Sequence, residues 1–237
     1  MVDRTRTKTQ VWTVPHVNEA LARLYLRLAG YFTTGLVIHA AVQGQQRTEI
    51  DCLAVRHPYH CQLDRVVGPP PFLGDFGIET DLIICEVKTN AKEIRFNKAL
   101  AESNDAISKV INWAGVLPEA ETRIVIPLVA ELLKPGKSIV AARSGVTTGG
   151  VRIRALLCSP VATPTEIGEA WILTSDEIFR YAQECFNPDK HRPNCADRYD
   201  FCLWGSELSP VVEYFKNLAR GQRASLQGLY RKLGETD

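Results

Sequence analysis

Apolar positions along this chain recur at two spacings, and the switch between them outlines the fold. From Val17 to Ala29 they fall at Leu21, Leu24, Tyr25 and Leu28, the i, i+3, i+4, i+7 of a helix face, with Gly30 standing where a left-handed cap would end it. A strand is predicted from Leu36 to Val42, ended by Gly44. From Thr48 to Val55 the period is two, so Ile50, Cys52 and Ala54 should point one way and Glu49, Asp51, Leu53 and Val55 the other. A long irregular connection, His57 to Thr80, carries three consecutive prolines (Pro69 to Pro71); long loops of this kind are often functional. Asp81 to Thr89 is a dense strand signal, apolar through Leu82, Ile83, Ile84 and Cys85.

The second half reads less evenly. A helix is predicted over Phe96 to Ala114, stopping at Gly115 and Pro118, with Asn97, Leu100, Asn104, Ile107, Ile111 and Ala114 on one face. That face puts two amides among the residues meeting a sheet. Strands are expected at Thr122–Ile126, Val151–Cys158 and Trp171–Leu173. Thr174, with Glu177 three positions on, then forms the capping box of a helix that ends at Asn187-Pro188. Ser209-Pro210 opens another, closing at Gly221. Helix, three strands, helix, more strands and then helices describe an α/β fold with a central mixed sheet flanked by helices. The divisions expected are a flexible N-terminal arm over 1–15, a core over 16–175, and a helical C-terminal extension over 176–237 packed on that core.

Composition narrows the class. At 237 residues the chain buries a core without disulfides or metal, and 28 basic against 27 acidic side chains leave a net charge of +1. Bulk attraction to a polyanion is thereby excluded; contact with nucleic acid must come from a local patch or a metal. No apolar run approaches a membrane span, and the basic N-terminus lacks the apolar stretch of a signal peptide. Seven cysteines, an odd number without a C-x-x-C pair, lead us to expect a reducing, cytoplasmic compartment. Cys185, His191, Cys195 and Cys202 lack the paired spacing of a structural zinc site, so ordinary thiols are expected there.

The chemistry lies in Asp51 and, 35 positions further on, Glu86 with Lys88 two residues after it. A strand's period of two sends Glu86 and Lys88 to one face, and a neighbouring strand brings Asp51 alongside. Two carboxylates held together in partly desolvated surroundings repel, and a hard divalent cation relieves that repulsion. The plain alternative is a surface ion pair between Glu86 and Lys88, contributing about 0–1 kcal/mol.

The segments Thr48-Glu49-Ile50-Asp51-Cys52-Leu53-Ala54 and Asp81-Leu82-Ile83-Ile84-Cys85-Glu86-Val87-Lys88 resemble the PD-(D/E)xK phosphodiesterase superfamily, the restriction-endonuclease-like and Holliday-junction-resolvase-like nucleases. The resemblance covers roughly residues 17 to 158 and departs from the pattern in having no proline before Asp51. It implies a restriction-endonuclease-like core and a nuclease hydrolysing phosphodiester bonds in DNA with Mg²⁺ or Mn²⁺. Asp51, Glu86 and the backbone carbonyl of Val87 would hold the metal, Lys88 would assist the attacking water, and Glu19 in the first helix would be an accessory acid. Glu19 falls away from the Leu21/Leu24/Leu28 stripe, so a solvated helix-start glutamate is its other reading. The resemblance also implies that the second helix flanks the site, where Asn97 or Asn104 could supply a polar group, unless Asn97 merely caps the helix and Asn104 satisfies buried backbone.

Arg152 and Arg154, on one strand face, and Arg4, Arg6 and Lys8 in the arm are further candidates for phosphate contact, otherwise solvated. No helix-turn-helix or zinc-finger reader is evident, so specificity would come from loops, a homodimer or a targeting partner protein. Two other readings stay open: a catalytically silent nuclease fold used as a nucleic-acid or protein binding module, and an unrelated α/β interaction protein.

Overall fold

The computed structural model describes residues 12–39, 46–61, 67–167, 170–187, 204–219 and 221–234. Arg4, Arg6, Lys8, His191, Cys195 and Cys202 lie outside them.

The chain opens with helix α1 (Val14–Leu28), followed by strands β1 (Phe32–His39), β2 (Gln46–Arg56) and β3 (Thr80–Val87). Helices α2 (Lys98–Ala101), α3 (Asn104–Ala114), α4 (Glu119–Leu133) and α5 (Ile139–Ser144) come next, then strands β4 (Val146–Thr148) and β5 (Val151–Cys158). A short helix α6 (Pro164–Ile167) and strand β6 (Ile172–Leu173) lead to α7 (Ser175–Phe186), α8 (Ser209–Lys216) and α9 (Leu226–Leu233). The sheet order is β1-β2-β3-β5-β4, with β6 beside β5; β1, β2 and β3 form an antiparallel meander, and β5 runs parallel to β3. This is an α/β fold with a mixed open sheet flanked by helices. No helix among the described residues is long and apolar enough to cross a membrane.

Each sheet face has its own buried cluster. On one side Leu82, Ile84, Ile153 and Ala155 meet Leu100, Ile107, Ile111, Val125 and Val129 of α2, α3 and α4. On the other, Cys52, Ile83, Cys85 and Leu156 meet α1, which in turn packs against Ile178, Tyr181, Val211 and Phe215 of α7 and α8. Helix α1 is thus covered by the sheet below and the C-terminal helices above, and Ala22 and Leu26 are as buried as Leu21 and Leu24. Tyr25 and Tyr181 reinforce this layer through hydrogen bonds to Glu177 (2.8 Å) and to the carbonyls of Leu28 and Gly68 (3.2 and 3.1 Å).

Several expectations from the sequence need correction. Thr122–Ile126 is not a strand but the middle of α4, whose buried residues Thr122, Val125, Val129, Leu132 and Leu133 follow a helical period. The predicted helix over Phe96–Ala114 breaks into α2 and α3 at Ser103, whose hydroxyl caps the second by accepting from the Ala106 amide at 3.2 Å. That break turns Asn97 and Asn104 outward; both are exposed, and Asn97 caps α2 through the Ala99 amide at 3.0 Å. Pro15 belongs to the first turn of α1, where its missing N–H costs nothing, so the part of the expected arm from Val14 onward is helical. The Thr174–Glu177 capping box does not form, because Glu177 accepts from Tyr25 and Arg180 instead. Helix α8 ends at Lys216, short of Gly221.

The two strand arginines are also engaged inward, Arg154 wholly and Arg152 in part. Arg154 is fully buried, forks onto Asp81, and donates to the Leu73 carbonyl at 2.7 Å and the Tyr31 hydroxyl at 2.6 Å. Arg152 reaches the same Asp81 at 2.9 Å, and Tyr31 donates to it at 2.7 Å. Period two put both arginines on one face, as expected; that face turns toward Asp81, with Arg154 buried and Arg152 at its margin.

Candidate functional site

The site is built where β2 and β3 part. Their antiparallel pairing runs from Arg56↔Asp81 to Cys52↔Cys85. Asp51 and Glu86 are the next residues beyond the last pair. Asp51 Oδ2 there accepts the backbone N–H of Val87 at 2.6 Å, the carboxylate standing in for a ladder bond. The Lys88 N–H donates to the Cys158 carbonyl of β5 at 2.8 Å. A strand residue sends its N–H and C=O to the same side, so the Val87 carbonyl faces the β2 side together with its N–H.

Asp51 owes its position to a β-bulge. Thr34 pairs with Leu53 but Leu36 pairs with Ile50, so Gly35 faces two residues of β2, Asp51 and Cys52. The extra residue reverses the alternation read from the sequence. Ile50 lies in the cluster under α3 and α4 with Leu53, whereas Cys52 and Ala54 face α1. The Asp51 carbonyl, displaced from the ladder, is taken by Arg23 of α1 through Nε (3.2 Å) and Nη2 (3.0 Å). The same guanidinium pairs with Glu19 at 3.1 Å and with Glu207 at 3.0 Å.

Glu86 is buried, and its Oε1 accepts from Lys88 Nζ at 2.6 Å. The five residues named from the sequence, Glu19, Asp51, Glu86, Val87 and Lys88, therefore gather at one end of the sheet. Asn97 contributes only through its backbone, an amide hydrogen bond that holds the Glu86 carboxyl down. Asn104, Arg152 and Arg154 do not belong to the site. Cys185 is buried in α7.

Electrostatics distinguish this cluster from a surface ion pair. Burial pushes the Glu86 carboxyl up, Lys88 opposes the shift, and the Asp51 charge adds to it. Burial likewise raises Asp51; the Val87 N–H holds it down, Glu49 raises it, and Lys88 and Arg23 lower it. Glu19 is raised by burial first and by Asp51 second. Burial is thus the main reason that all three neighbouring carboxyls lie above the ordinary range, and the charge of a neighbouring carboxylate adds to it in each.

Among the described residues no three His, Cys, Asp or Glu side chains form a ready-made metal cage. The donors on hand are two carboxylates and a main-chain carbonyl, all hard oxygens, a set that suits Mg²⁺ or Mn²⁺ completed by water and not Zn²⁺. Arg23 and Glu49 were not singled out from the sequence. The Glu19–Arg23 spacing of i, i+4 was the available signal for the first; the second was visible only as an acid two residues before Asp51. No family model, curated protein or solved structure matches the chain.

Proposed function

We propose that this chain is a metal-dependent nuclease of the PD-(D/E)xK kind, hydrolysing phosphodiester bonds in DNA. The observation that carries the reading is geometric: half-buried Asp51, fixed by the Val87 N–H at 2.6 Å, and buried Glu86, paired with Lys88 Nζ at 2.6 Å, sit together on the parting ends of β2 and β3. Further support comes from the order of elements: a helix, an antiparallel meander, helices, and then a strand parallel to the third.

Asp51, Glu86 and the Val87 carbonyl would hold Mg²⁺ or Mn²⁺, which when bound supplies the positive charge the carboxylates lack and polarises water and phosphate. The residues themselves do the positioning. The Val87 N–H fixes the Asp51 carboxylate, and the Lys88 N–H bond to β5 fixes the backbone from which the ammonium extends. Lys88 orients the attacking water or offsets charge developing on phosphorus. Glu19 adds negative charge next to Asp51 and is kept in place by Arg23.

The second reading, a silent nuclease fold acting as a binding module, is favoured by the net charge of +1 and by the direct Lys88–Glu86 pair. One experiment separates the two. Purified protein is incubated with plasmid and oligonucleotide DNA under a titration of Mg²⁺ or Mn²⁺, with and without EDTA. Metal-dependent cleavage that EDTA abolishes supports the nuclease; cleavage that ignores EDTA, or binding with no cleavage at any metal concentration, overturns it.

A further inference from the structure

Next to the acidic site a cleft of about 770 Å³ runs between α1, the sheet-edge strand β1 and the turn at 204–208. Its lining includes Arg23 and Arg27, one helical turn apart, facing Phe32, Thr34 and Gly35 of β1 across from Trp204. The two aromatic residues differ in role. Trp204 is half-buried and lies under the Arg27 guanidinium at 5.0 Å from its ring centre. Phe32 is 66% exposed on the rim, edge-on to His57 at 5.8 Å. The turn that carries His57 also bears Tyr59, 88% exposed.

The far end of the cleft opens onto the bulge. Gly35 sits opposite Asp51, and Arg23 Nη2, part of the lining, bonds the Asp51 carbonyl. A Cβ on Gly35 would come within 3.2 Å of that Nη2, so the bare backbone lets the guanidinium lie against the strand at the bulge.

We infer that this cleft seats an unpaired strand of nucleic acid alongside the end of the sheet that carries Asp51 and Glu86. Phosphates meet Arg23 and Arg27, and a base stacks on Phe32. An exposed ring beside guanidinium groups is how sequence-tolerant single-strand binders work, since every base offers a π face. A duplex keeps its bases stacked inside and has no use for Phe32. Among the described residues lining this cleft, the acid is Glu207. Its carboxylate is well exposed, so its pair with Arg23 is weak and a phosphate exchanges for it. The inference rests on the nuclease reading only for what happens at the end of the cleft; binding needs none of Asp51, Glu86 or Lys88.

The test is fluorescence anisotropy of the full chain in EDTA, with a labelled thymidine 12-mer and a hairpin duplex as probes, folding of each variant being checked by circular dichroism. The single strand should bind more tightly than the duplex. Phe32→Ala should weaken single-strand binding roughly 5- to 100-fold. Arg27→Ala should reduce the slope of log K against log salt by about 0.7, and Glu207→Gln should tighten binding. Equal affinity for both probes, or a Phe32→Ala variant that binds like the wild type, overturns the inference. So does a cleft that takes an extended peptide along the β1 edge while ignoring the oligonucleotide. Phe32-dependent binding without cleavage on adding Mg²⁺ would sink the nuclease and leave the cleft; cleavage with wild-type binding by Phe32→Ala would do the reverse.

Discussion

Arg23 bonds the main-chain carbonyl of Asp51, while the Asp51 carboxylate turns to the Val87 N–H. The guanidinium therefore stabilises the bulge by satisfying an oxygen the ladder has released, and it compensates the carboxylate only from a distance. Arg23→Leu should lower stability by about 1–3 kcal/mol, the cost of leaving a partly buried acceptor without its donor. Urea denaturation measures this, and an unchanged midpoint would mean that water replaces Arg23 without loss.

Lys88 separates an enzyme from a silent fold. Lys88→Ala should leave folding intact and slow single-turnover cleavage about 10²- to 10³-fold. Arginine should not rescue the position, because its broad planar fork cannot imitate a compact ammonium. Wild-type cleavage by the alanine variant would reduce Lys88 and Glu86 to an ordinary ion pair.

Asp51 gives a pH signature whose sign follows from its raised pKa. A carboxyl that holds its proton more tightly when folded adds stability as pH falls through its folded pKa, and that contribution is complete below the ordinary carboxylate range. That contribution is lost as pH rises through the folded pKa, above which the ionised group costs stability. Asp51→Asn keeps an oxygen for the Val87 N–H but removes the charge. The variant should therefore be the more stable protein at neutral pH, with the difference shrinking as the solution is acidified. Chemical denaturation of both proteins across that range checks it; a gap that widens in acid would contradict the assignment.

The same shifts govern cleavage. Protons compete with metal for Asp51 and Glu86, so activity should fall on the acid side at a pH above the ordinary carboxylate range. Raising Mg²⁺ should move that limb to lower pH. A limb that stays put at every metal concentration would show that these carboxyls do not meet the ion.

At the other end of β3 the Asp81 network is structural. Asp81 and Glu86 are five residues apart on one strand, roughly 17 Å. Arg154→Met should cost about 3–5 kcal/mol by stripping a buried ion pair of one partner. Asp81→Ala should cost more, because Arg152, Arg154 and Tyr31 all lose the same acceptor. Neither change should alter metal affinity measured by titration calorimetry on the protein that remains folded.

The parts of the fold legible in the sequence were those in which local pattern and tertiary burial agree. The α1 stripe, the dense apolar run of β3 and the bounds of β5 belong to that group. Thr122–Ile126 misled because Ile124-Val125-Ile126 has strand-like composition, and only the helical spacing of Val125, Val129 and Leu132 reveals α4. At the site, period two placed Glu86 and Lys88 together, but strict alternation along β2 could not anticipate the bulge. A bulge is a property of the pairing between strands, and Gly35 was its one local trace. Arg152 and Arg154 were misjudged for a related reason: their acceptor, Asp81, sits on a different strand, and nothing in a linear pattern says that two cations will share it.

The parallel pairing of β3 with β5 also sets an order of assembly. Thr80↔Val151 to Val87↔Cys158 can form only after everything from α2 to β4 has been brought round, whereas β1, β2 and β3 join through nearer contacts. Closing the longer loop carries the larger entropic cost, and long-range parallel pairing is intrinsically slow. The meander that gathers Asp51 and Glu86 should therefore form first, as a charged edge without its neighbour. Docking of β5 then supplies the Cys158 carbonyl to the Lys88 N–H and brings Arg154 to Asp81, so the backbone that carries the ammonium is fixed late, after the acids it serves.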